Sequence, residues 1–341
     1  MMNYIQWHKK EYPLLGLTGM GGGIGLGIIS GGTSTVFAGG DRGLVVGGRI
    51  PDGGGSGATD RIDYINITST ANAIDFGDLS QRREGGAGNM SNGSRCCFGG
   101  GYSYSDSASY NIIDYVTSSS TGNASDFGDL TQAQDNLTGC ADANIGRGFA
   151  GPSYQDMDQI EYITIATTGD AADFGTTIVD CFGAAATSDG IYGWWHGGRA
   201  SGGWGNASNT IQYLVTATLG DASDWGDLDF AGYTYSCTCS VADARVVQLG
   251  GYASSDYRNE IDYYTTASAG NSSDFGNLTV GRSGIATLGN GTRAVAGGGF
   301  PSGGPVTDLM DYITIATTGD ASDFGDLDEN RGWAMPNSGS A

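Results

Sequence analysis

The sequence predicts an all-β fold, a six-bladed β-propeller with four-stranded blades and an extended N-terminal arm. Three observations predict it. One block recurs six times, glycine clusters punctuate each repeat at the same place, and the usual fill of helix surfaces is missing. Asp numbers 32 against five Glu, and the only lysines in 341 residues are Lys9 and Lys10. Exposed helix positions favour Lys and Glu, so a chain rich in Gly, Ser, Thr and Asp reads as strand and turn. The 62 glycines show no Gly-X-Y period and prolines number six, which removes collagen and a Pro-rich linker. Hydrophobic residues at 39% and aromatics at 10% suffice for a packed core.

The repeated block runs from Ile62-Asp63-Tyr64 to Asp75-Phe76-Gly77 and returns around five further tyrosines, Tyr115, Tyr162, Tyr213, Tyr263 and Tyr312. Each tyrosine is followed 12 residues later by an aromatic: Phe76, Phe127, Phe174, Trp225, Phe275 and Phe324. Tyr-to-Tyr steps are 51, 47, 51, 50 and 49. A constant interior with variable flanks marks the interior as structural and sends insertions elsewhere. These twelve aromatics are expected to be buried at matching positions.

Each unit is read as four strands. Strand a is short, as in 284–288. A tight turn such as Asn290-Gly291 leads to strand b, 293–296, which glycines close. After a loop of variable length comes strand c, 310–317. A turn through Gly319-Asp320-Ala321-Ser322 then gives strand d around Phe324. Strand c places Ile160, Tyr162 and Thr164 on one face and Ile163 and Ile165 on the other. Apolar residues on both faces fit a sheet packed between two neighbouring sheets, and radial repetition is a known way to protect strand edges. Two segments, 35–38 and 331–337, carry the strand-a pattern for the one slot of the first blade. The first, 35–38, is expected to fill it, because it runs directly into its own strand b through Gly39-Gly40-Asp41, leaving 331–337 outside the ring or paired elsewhere. The expected organisation is an arm over 1–32, the propeller over 33–330, and an extra strand or tail over 331–341.

The glycine doublet after strand b, with tyrosine 11 to 16 positions later, resembles the kelch repeat over about residues 33–330. The strand-d aromatic matches in kind, at a longer distance from the tyrosine. The wording of the units, as in 313–327, resembles repeats in predicted proteins of marine and cyanobacterial tailed phages. That resemblance implies a non-enzymatic virion structural or interaction protein, made in the host cytoplasm, present in multiple copies and touching other virion proteins. A host-surface glycan adhesin using the b–c loops, as on a tail fibre, and a glycan-degrading enzyme are the alternatives.

The formal net charge of -22 repels phosphate backbones and anionic lipid heads, so nucleic-acid binding is not expected. No 18-residue apolar run exists, so no membrane insertion is expected. The stretch Leu14 to Ile29 is too broken by glycine for a secretory core. Six cysteines form no paired CxxC, and His8 and His196 are the only imidazoles, which argues against zinc. Calcium at the Asp-rich turns is the one cofactor weighed. The acids there step by three and give way to Asn123 or Asn271, which favours Asx bonding to backbone, so no cofactor is expected.

Arg42, Arg95, Arg147, Arg245 and Arg293 precede the glycine clusters in five units. The fourth lacks this arginine and also has Gln212 where the others have Asp or Glu. Strand geometry separates the start of strand b from that of strand c, so each arginine is expected to meet a c–d turn acid such as Asp126 or Asp323. With His196 the only histidine inside the repeats, no catalytic residue is assigned. Two interaction sites are expected. One is the blade-four b–c region with Trp194, Trp195, His196, Arg199 and Trp204, where packing in strand b is the other reading of Trp194 and Trp195. The other is the arm tip, with Trp7, His8, Lys9, Lys10 and Tyr12, a basic aromatic patch suited to an acidic neighbour.

Overall fold

The computed structural model describes residues 40–339, apart from 53–54, 201–206, 233–236, 241–242 and 254–255. Every regular element among the described residues is a strand. Six antiparallel four-stranded blades follow one plan, strand a innermost and strand d outermost. Blade two holds Ala87–Ser91, Arg95–Gly99, Ala108–Thr117 and Ser125–Gln134. Blade six holds Ala286–Gly289, Arg293–Gly297, Leu309–Thr314 and Ser322–Asp326. The innermost strands touch one another in a closed circuit through all six blades. Six core clusters fill the six seams, each shared by successive blades.

The seams explain the constant spacing of the block. Strand c and strand d pair with a bulge that sets the tyrosine beside the aromatic 12 residues on, as in Tyr312 and Phe324. Their rings meet edge to face, with centroids 5.9 Å apart in blade six and 6.0 Å in blade two. Such a pair contributes about 0.5–1.5 kcal/mol beyond area burial. The six strand-d aromatics are buried as expected. The six tyrosines, expected buried, are half-buried. Their open side is covered by an arginine: guanidinium carbons lie 4.7, 4.3, 5.0, 4.6 and 4.7 Å from the rings of Tyr64, Tyr115, Tyr162, Tyr263 and Tyr312.

Those five arginines do not pair with turn acids. Arg42 Nη1 donates to Ser118 O at 2.8 Å, Arg95 Nη1 to Ile165 O at 2.9 Å and Arg147 Nη1 to Thr216 O at 2.9 Å. Arg245 and Arg293 do the same with Ala316 O and Thr68 O, both at 3.0 Å. Each accepting carbonyl follows strand c of the next blade, so the arginine ties two blades together while resting on its own tyrosine. In blade four Tyr192 holds the arginine's register, opposite Val215, and packs edge-on against Tyr213 at 5.3 Å.

The acid in the middle of strand c has another partner, on the linker entering its blade. Arg83 meets Asp114 at 3.0 Å and Arg282 meets Asp311 at 2.8 Å, all four side chains fully buried. Arg331 meets Asp63 in the same way. In blade three Gln134 donates to Glu161 at 2.8 Å. The loss of Arg and acid from blade four is therefore not the loss of one pair. Gln212, beside Cys181, replaces a different contact, its Oε1 accepting the Ile178 amide at 2.7 Å.

The Asp-rich turns are blade-to-blade latches. Asn123 Oδ1 accepts the Asp78 amide of the preceding blade at 3.1 Å. The bond recurs from Asp129 to Asp170, Thr176 to Asp221, Asp227 to Asn271, Asn277 to Asp320 and Asp326 to Asn72, closing the circle. Only an acceptor oxygen is needed, so Asp and Asn interchange. The turn backbone adds Gly122 N to Phe76 O at 2.8 Å and Ala124 N to Asp78 O at 2.7 Å, which covers the outer edge of strand d. The approach is close. At Gly276, φ +150°, a Cβ would lie 2.3 Å from Gly319 O.

Ring closure differs from expectation. The inner slot of blade one is taken by Met335–Gly339, antiparallel to Arg42–Val46 with Val46 opposite Met335. The expected occupant, 35–38, lies outside the described residues. The C-terminal strand fits because it bonds both neighbours. Asn337 Nδ2 donates to Cys97 O at 3.3 Å, Ser338 Oγ accepts the Gly289 amide at 3.1 Å, and Met335 is buried in the seam with Leu44 and Phe98.

Candidate functional site

In an antiparallel blade the ends of strands b and d share one face with the starts of c and a. All b–c loops and d–a linkers therefore emerge together, opposite the latched turns. Short bridges knit them: Arg49 pairs with Gly332, Glu84 with Tyr102, and Phe182 with Arg199. A glycine begins each loop for a steric reason. At Gly298, φ +66°, a Cβ would stand 2.3 Å from Arg331 O of the crossing linker.

This face carries an arginine–aromatic ladder across blades six, one and two. Arg49 donates to Glu84 from Nη2 and Nε, at 2.6 and 2.9 Å, and Nη2 also donates to the Tyr104 hydroxyl. Its guanidinium carbon lies 4.4 Å from the Tyr104 ring and 4.2 Å from the Trp333 ring. Phe300 stacks against Trp333 at 4.4 Å, and Tyr102 meets Tyr104 edge-on at 4.9 Å. Burial pushes the Glu84 carboxyl above its ordinary range, and Arg49 opposes that shift.

A second group continues over blades two to four. Gln155 Nε2 donates to Ser109 Oγ at 3.0 Å and to Asp135 Oδ2 at 2.9 Å, while its Oε1 accepts the Asp135 amide at 2.8 Å. The Tyr154 amide donates to Asp135 O at 3.0 Å, and its ring stands edge-on to Phe182 at 5.1 Å. Arg199 lies over Phe182 at 5.4 Å. Tyr104 and Tyr154, 41% and 55% exposed, are the only exposed aromatic residues among the described residues.

The expected blade-four site is not assembled there. Trp194, Trp195 and His196 lie within strand b, Tyr192–His196, and are fully buried. Trp194 packs on Trp225 and Tyr264, and Trp195 donates its indole N–H to Gly151 O at 2.6 Å. The packing reading of the two tryptophans holds because strand b is covered on both faces. Burial lowers the His196 pKa to about 4, and its ring nitrogens contact Tyr264 Oη at 3.1 Å and Gln248 Oε1 at 3.0 Å. Arg199 alone of the described members reaches the loop face. Trp204 and the arm residues Trp7, His8, Lys9, Lys10 and Tyr12 lie outside the described residues.

Arg49, Glu84, Tyr104 and Tyr154 were not singled out by sequence. Their one signal was position, since each falls just after a glycine cluster or inside a linker. Among the described residues no group of three or more His, Cys, Asp or Glu is placed to hold a metal ion. Among the described residues of its linker, the mid-strand acid of blade five has no basic or amide partner. Gly232 takes the place where Arg282 stands in blade six, and Asp262, bonded to Ser272 Oγ at 3.4 Å, is pushed up to about 6 by burial and then by Asp229.

No family model matches the chain, and no curated protein matches it. Solved structures do. The solved structure of YjhT superposes with a TM-score of 0.62, covering 80% of this chain and 95% of that chain at 11% identity. What is shared is the fold. The chain is a six-bladed β-propeller.

Proposed function

We infer that the protein acts by contact rather than by catalysis, as a structural and interaction component of a tailed-phage particle anchored through its N-terminal arm. The observation that carries the reading is the division between faces. The turn face spends its repeated polar groups on joining blades, and the loop face presents two exposed rings, Tyr104 and Tyr154, above its bridged loops. The virion setting is supported by the wording of the repeats, as in 313–327, and the contact role by the basic aromatic tip around Trp7, Lys9, Lys10 and Tyr12 on a chain of net charge -22.

The test is quantitative mass spectrometry of purified particles made with the full chain and with residues 1–29 deleted. The expected result is a fixed copy number for the full chain and loss of the deleted one, with its thermal unfolding unchanged. Absence of the full chain from particles overturns the virion role. Normal incorporation of the deleted form overturns the arm as anchor.

A further inference from the structure

We propose that the loop face of blades two and three is a binding site for neutral oligosaccharide, with the Tyr104 and Tyr154 rings as its two platforms. This goes beyond the virion role and stands on its own geometry.

A sugar ring offers a patch of C–H groups on one face and hydroxyls around its edge. A matching surface alternates small aromatic platforms with hydrogen-bonding groups. The two blades supply that alternation. Tyr102 pairs with Ser109 across the blade-two loop, Ser109 bonds to Gln155, and Gln155 adjoins Tyr154. The two exposed rings are thus linked by a continuous run of hydroxyl, carboxylate and amide. Each platform is held from behind, Tyr104 by Arg49 and Tyr154 by Phe182, so binding need not freeze either ring. The loop beneath is held too, by the Asp135 and Gln155 bonds.

Two features choose the ligand. The rings are separated by polar groups rather than merged into one apolar patch, which is unlike the apolar centre of a protein interface. The local charge is negative even with Arg199 over Phe182, because Asp106, Asp135 and Asp156 outnumber it. Glu84 consumes Arg49, Asp106 is held exposed by Tyr110 Oη at 2.5 Å and Ser103 Oγ at 3.0 Å, and Asp135 sits between the platforms. Acidic sugars are therefore repelled, as is any phosphorylated glycan.

The probe is a glycan array spanning neutral and anionic oligosaccharides, applied to the full chain, Tyr104→Ala, Tyr154→Ala and Tyr154→Phe. The expected result is binding confined to neutral glycans, reduced tenfold or more by either alanine and kept by phenylalanine, with unchanged thermal unfolding in all four proteins. Added salt leaves the signal in place. No binding to any neutral glycan, preference for anionic ones, or full binding by Tyr154→Ala overturns the proposal.

Discussion

The two faces of the disc are built from the same six repeats and put them to opposite use. On the turn face every copy makes the same bond: an Asx oxygen to the amide of the preceding strand d, beside an arginine or Tyr192 packed on the strand-c tyrosine. On the loop face the linkers repeat a short bridge in blades one, two, four and six, but the loops beyond it differ. Blade one extends a two-stranded ribbon, Arg49–Asp52 with Gly55–Ala58, while blade five simply prolongs strands b and c to Ala253 and Asp256. The difference teaches where constraint lies. A turn that also closes a seam must keep its length and its acceptor, whereas a loop tied only by a short bridge at its base is free to vary beyond it.

The comparison breaks first at the seams. Phe324→Ala removes a fully buried ring from the cluster shared by blades six and one and should cost about 3–5 kcal/mol in urea unfolding. An effect below about 1 kcal/mol would show that the seam does not hold the ring together. Arg293→Ala removes the bonds to the Ile67 and Thr68 carbonyls and one cation–π contact and should cost about 1–2 kcal/mol. Asp320→Ala deletes one latch and should cost about 0.5–1 kcal/mol. Similar losses for Asn72→Ala and Asp170→Ala would confirm that the copies are equivalent, and a latch with no effect would separate that seam from the rest. Tyr154→Ala, on the loop face, should stay within about 0.5 kcal/mol of the full chain.

One change is expected to stabilise. Asp262 is raised to about 6 in the folded chain against an ordinary 3.8, so the native state holds its proton more tightly than the unfolded state does. Stability from this group is therefore lost as pH rises from about 4 to about 6 and stays low above that. Asp262→Asn removes the penalty, so its gain over the full chain should be larger at pH 7.5 than at pH 4.5 in paired urea titrations. His196, lowered to about 4, acts in the opposite sense, losing stability as pH falls from 6.5 towards 4, and is present in both proteins. An equal gain at the two pH values would contradict the assignment to Asp262.

The repeat itself was legible in the sequence because strand c, its turn and strand d form one unbroken segment. Tyr64 and Phe76 meet inside a single blade, and their spacing survives in every copy. What sequence spacing hides is contact between copies. The latch from Asn123 reaches Asp78, and the bond from Arg42 reaches Ser118, partners that look unrelated until blades stand side by side. Ring closure was illegible for a related reason. Two terminal segments carry the pattern of strand a, and the choice rests on Asn337 and Ser338 bonding blades two and six. Trp194 and Trp195 carried two readings, contact surface and strand-b packing, and their place in the blade-four seams decides for packing. The loop-face ladder gave almost no signal, since Arg49, Tyr104 and Trp333 come from three distant parts of the chain.

The central claim is that one face holds the ring and the other makes contact. It is tested most directly by measuring unfolding and glycan-array binding together on Asp320→Ala and on Tyr154→Ala. The account predicts that Asp320→Ala unfolds at lower temperature and binds as the full chain does, while Tyr154→Ala unfolds normally and has lost binding. Loss of both properties in either variant, or the reverse assignment, would contradict it.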